Sequence, residues 1–276
     1  MQEIIIDALV NGVVLPFFVA FAIVGAIRYG LVVSISQKLA VSAIAVAVLV
    51  SIVAIDSWPP FPPISASQKL VYLILFGFIS GTVLDFIGKP TTFQRLSILL
   101  WPIIIVGWIG WRQLIALDPV AITSLALIGL TGCVVLWRLY EEPGPVPNAP
   151  VAIIAASIGA AIIAFIGHSS SISQFYGVLA AATGGYVLWN WPSPRYMFGA
   201  AGVLGCGGAF LALTTIMFQF TETNKMALVL VLLVFLCPAL ARATRYGNGK
   251  ASAPVATGII SVVPVTLAVM IAIVTK

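Results

Sequence analysis

The chain has 276 residues, 61% of them hydrophobic and 8% charged, against roughly 25% charged in an ordinary soluble domain. So few charges exclude a water-soluble fold of this length, because its surface could not be covered. The formal charge of +5 comes from basic residues scattered over many loops without a patch, which excludes a nucleic-acid face.

The apolar residues come in blocks of about 16 to 24 without interior charge, the length that crosses a hydrocarbon layer of about 30 Å at 1.5 Å per helical residue. Runs such as LAVSAIAVAVLVSIVAI do not alternate polar with apolar, as the strands of a membrane barrel would. The reading is an all-α, polytopic integral membrane helix bundle. Its ten spans in chain order are 4–27, 39–55, 70–88, 96–115, 119–138, 150–167, 174–191, 196–218, 226–241 and 254–275. Short segments rich in Pro, Gly, Ser and charge separate them, and none has room for a soluble domain. Residues 1–276 therefore read as a single transmembrane domain. The start MQEIII lacks the basic region of a cleavable signal, so the first apolar run is expected to stay as a span.

Span one opens with Glu3, Asp7 and Asn11, four apart and on one helix face. A polar stripe avoids lipid, so it marks a vestibule for cations or protons, or an end turn at headgroup level. Pro16 follows and is expected to kink the helix. Between spans two and three lies DSWPPFPPISASQK. Trp58, Pro59, Pro60, Phe61, Pro62 and Pro63 suit an extended segment of about 19 Å at 3.1 Å per residue. This is a strap or a docking ridge rather than a ligand site.

Asp85, late in span three, is the deepest acid, roughly 22 Å along its helix. It is a candidate for a proton or cation relay, or for a pair with Lys89 at the i+4 position. Arg112, closely enclosed by apolar sequence, is a candidate for an anionic headgroup or a substrate carboxylate, or snorkels outward. The break between spans four and five rests on Arg112 and Asp118 alone. TGCVVLW at 131–137 and TGGYVLW at 183–189 echo each other at a spacing of 52 residues, which points to repeating two-helix hairpins. His168, the one histidine, lies in a loop. In span eight Gly199, Gly202, Gly205 and Gly208 are expected to let helices pack closely where lipid offers no hydrophobic drive.

Sorting basic residues by alternate loops gives nine on one side and four on the other. The side with the excess is cytoplasmic, so both termini are expected on the extracytoplasmic side of a bacterial-type inner (plasma) membrane. The proline loop lies outside with them. Cys133, Cys206 and Cys237 share no short spacing, and no metal, phosphate or nucleophile motif is present. No metal, cofactor or catalytic residue is expected.

A compact ten-span chain without catalytic groups reads first as a small-molecule permease, and not as an enzyme. A non-catalytic membrane subunit that scaffolds or seals a larger complex is the alternative, because hardly any charge reaches the midplane. A lipid-modifying membrane enzyme is third, since its acid, base or metal groups are not apparent. The expected partners are the lipid bilayer and either membrane proteins or further copies of the chain, not nucleic acid.

Overall fold

The computed structural model describes residues 6–7, 9–88, 92–142, 146–244, 247 and 249–275, and among them the regular structure is helical, with no strand. Eight helices are long and apolar enough to cross a membrane. They are α1 (Val10–Gly30), α3 (Ala66–Ile87), α4 (Thr92–Ile109), α5 (Pro119–Tyr140), α6 (Asn148–Ile166), α8 (Gly199–Phe220), α9 (Lys225–Arg242) and α10 (Ser252–Val274). The pair Val33–Leu39 and Ser42–Asp56, bent by 45°, makes a ninth when taken as one span, α2. The remaining expected segment is also helical: α7 (Ser170–Asn190) has 21 residues and packs against α1, α2 and α6. Four polar residues in its first five, Ser170, Ser171, Ser173 and Gln174, dilute its apolar run.

Local chemistry sets the helix ends. The α3 helix starts four residues before the expected 70 because Ser65 and Gln68 form a capping box. The Ser65 hydroxyl accepts the Gln68 N–H at 3.2 Å and the Gln68 side chain accepts the Ser65 N–H at 3.2 Å. The doubtful break after α4 is real. The helix stops at Ile109, one further turn covers Trp111–Ile115, Leu117 takes φ +51°, and Asp118 caps α5 ahead of Pro119. Two prolines distort helices because they lack an N–H and crowd the preceding turn. The turn before Pro16 widens to π geometry over Val10–Val14, and the turn before Pro238 tightens to 3-10 geometry over Leu233–Leu236.

The helices alternate in direction, as cross-links at the two ends show. At the proline-loop end, Lys69 Nζ donates to the Trp108 carbonyl at 2.7 Å, Gln219 to Ser124 at 2.9 Å and Asn224 to Thr275 at 2.6 Å. At the other end, named here for Asp85, Arg242 pairs with Glu142 and Trp191 donates to the Ala251 carbonyl at 3.0 Å.

The α8 helix is the centre of the bundle. Its apolar window is 94% buried, against 22% to 56% for the other seven. Small residues make this position accessible to it. A Cβ on Gly77 of α3 would come 2.5 Å from the Leu204 carbonyl oxygen, and one on Gly81 would come 2.5 Å from the Ala201 Cα. The α3 and α8 backbones touch there, so packing replaces the missing hydrophobic drive. A π turn over Val203–Gly207 loosens the carbonyl ladder of α8, and Trp101 Nε1 donates to the Leu204 carbonyl at 2.9 Å.

Candidate functional site

Asp85 stands at the N-terminal end of α8, on a different helix. Its Oδ1 accepts the Ala200 N–H at 2.8 Å and its Oδ2 accepts the Ala201 N–H at 2.9 Å. These are orphan donors of a helix start, where the macrodipole also favours a negative charge. Gly199 makes the approach feasible. It sits at φ +56°, and a Cβ there would come 2.5 Å from an Asp85 oxygen. The carboxylate thus fastens α3 to α8 as a cap supplied in trans. Lys89, the expected partner, lies outside the described residues.

Asp85 borders a cleft of about 570 Å³ that also takes in Lys38, Arg95, Tyr140 and Glu142. Lys38 holds its ammonium 5.1 Å from the centre of the Phe86 ring, a cation–π arrangement. One Glu142 oxygen accepts from Arg242, while the other is buried without a partner among the described residues.

At the proline-loop end two adjoining clefts flank the C-terminal part of α8. One of about 450 Å³ is lined by Lys69, Arg112 and Gln113, by Ser169 and Ser171, and by the apolar Phe175, Leu213, Ile216 and Phe220. The other, about 660 Å³, holds His168 and Glu222 with Thr221, Thr223 and Asn224, and shares Ser169, Phe220 and Thr221 with the first. Arg112 therefore meets Lys69, a residue 43 positions away, and that partner had no signal in the sequence beyond its charge. The ends of α3 and α4 bring the two together.

The remaining candidates are dispersed. Asp7 is exposed and Asn11 is half-buried in the widened turn of α1, remote in sequence and in cleft membership from Asp85 and Arg112; Glu3 lies outside the described residues. In the proline loop Pro59 is buried and its carbonyl accepts the Tyr72 hydroxyl at 3.0 Å. Trp58 and Phe61 are 55% and 79% exposed, with the Phe61 ring edge-on to Tyr72 at 5.7 Å. The loop bends at Phe61 and Pro62 instead of running straight. Gly205 and Gly208 are close-packed against Phe78 and Trp101, Gly202 faces Phe198, and Gly199 serves the Asp85 clasp.

Among the described residues no group of three His, Cys, Asp or Glu side chains could hold a metal ion. What the arrangement offers is clefts that hold charged side chains at both ends of one buried helix. Comparison of the chain with protein-family models and with curated proteins finds no match in either.

Proposed function

We propose that this multi-pass membrane protein is a small-molecule permease, with ten crossings and both termini on the extracytoplasmic side. The observation that supports the reading is the pairing of clefts that hold charged side chains with both ends of α8. A π turn, five glycines and a polar clasp give that helix the means to shift. Single π turns inside helices are frequent at functional sites, and small sliding of packed helices is one recurring mode of conformational change. In this reading the Asp85 clasp closes one end, and its release lets the α8 helix rock against α3 so that access passes from one cleft to the other.

A non-catalytic membrane subunit is the second reading. The packed middle of α8 favours it, where Gly205 meets Phe78 and Gly208 meets Trp101. Cysteine reactivity separates the two. In a cysteine-free background, Met197→Cys reports the Asp85 cleft and Ser169→Cys the opposite one. For a permease, adding Asp85→Ala raises the labelling rate at position 197 and lowers it at position 169. A static subunit leaves position 169 unchanged.

A further inference from the structure

The cleft between the ends of α3, α4 and α7 combines three features. The first is charge. Lys69 and Arg112 line the same wall, and among the described residues neither has a carboxylate within ion-pair distance, the one such pair being Arg242 with Glu142. Lys69 spends one donor on the Trp108 carbonyl and keeps two. Arg112 offers a planar fork of donors. Two like charges side by side cost energy unless an anion lies between them. Glu222 belongs to the adjoining cleft, and no acid is among the described residues that line this one.

The second feature is an acceptor. The Gln113 side-chain oxygen is buried without a hydrogen-bond partner among the described residues, a state that costs free energy until a donor arrives. The third is the apolar wall of Phe175, Leu213, Ile216 and Phe220, in a space of about 450 Å³, which lies within the range of small-ligand sites.

We propose that this cleft binds an anionic amphiphile: a phosphate or carboxylate between Lys69 and Arg112, a hydroxyl donating to Gln113, and an apolar portion along Phe175 and Phe220. The chemistry is shared by the headgroup region of a hydroxyl-bearing anionic lipid and by a free alkyl hydroxy acid. Occupancy of the cleft is independent of whether the chain transports anything, so the transport reading can fail without it.

The test uses the full chain in neutral detergent. One arm counts bound phosphatidylglycerol by native mass spectrometry, with phosphatidylcholine as control; the other measures thermal protection by 2-hydroxyhexanoate. The wild type is expected to retain at least one probe over its control. The double variant Lys69→Gln/Arg112→Gln is expected to bind about tenfold more weakly or worse, and Arg138→Gln, exposed at the far end, to bind as the wild type does. Lipid retention alone assigns a lipid, and protection by the acid alone assigns a free solute. If the double variant does not fold, Gln113→Leu takes its place; it should weaken 2-hydroxyhexanoate while leaving hexanoate, which has no hydroxyl, unchanged. Binding of neither probe by the wild type, or undiminished binding by the variants, overturns the proposal.

Discussion

Asp85 shows how much one side chain can do in this bundle. It supplies two charge-assisted hydrogen bonds to a helix start that has no side-chain cap of its own. Removing it leaves two donors without partners, at a cost of about 2–3 kcal/mol. Asp85→Ala should therefore lower the detergent melting temperature clearly, and Asp85→Asn, which keeps a carbonyl acceptor, by about half as much. Equal melting of all three proteins would show that the clasp contributes nothing. The same residue marks a limit of sequence reading. Its depth singles it out in the sequence, but its partners are backbone N–H groups 115 and 116 residues away, and backbone donors have no sequence signature. The Lys69 and Arg112 pairing was hidden for a related reason, since helical spacing reports neighbours along one helix and not across two.

Among the elements, α3 and α8 depend most on each other. Gly81 faces the α8 backbone with no room for a Cβ, while Gly129 of α5 has nothing within 4 Å of that position. Gly81→Ala is expected to destabilise by about 1–3 kcal/mol, because backbone cannot give way as a flexible side chain does. Gly129→Ala should be neutral or mildly stabilising, since alanine favours a helix. Unfolding in a graded denaturing detergent, read by gel filtration, ranks the two. The small-residue composition of span eight pointed to close packing before the fold was known. Which glycines meet backbone and which meet rings depends on the neighbours that α8 acquires. The capping box at Ser65 and Gln68 was also legible in principle, as Ser-x-x-Gln before an apolar run, although the expected span begins only at 70.

For the whole molecule, the cross-links at the Asp85 end and the proline-loop end fix which loops share a face. In the proposed topology the face with the larger count of basic residues is the cytoplasmic one. With single cysteines, Ser57→Cys and Thr275→Cys should react with a membrane-impermeant maleimide in intact cells, and Ser193→Cys only after lysis. The reverse pattern would invert the proposed topology while keeping the shared faces. The echo between α5 and α7 is of a different standing, because the two helices meet different surroundings. Gly132 faces Leu211 and Pro102, whereas its counterpart Gly184 faces the Phe17 ring of α1.

By itself, the sequence determined the medium, the helical class and nearly every helix, because apolar length and loop punctuation are local properties set by the cost of unpaired backbone in hydrocarbon. Only the tertiary structure decided which helix is central, that Asp85 caps α8, and that Lys69, Arg112 and Gln113 share one cleft. Those facts depend on which helix faces meet, and in lipid the faces are selected by close packing and by hydrogen bonds across helices rather than by hydrophobic periodicity.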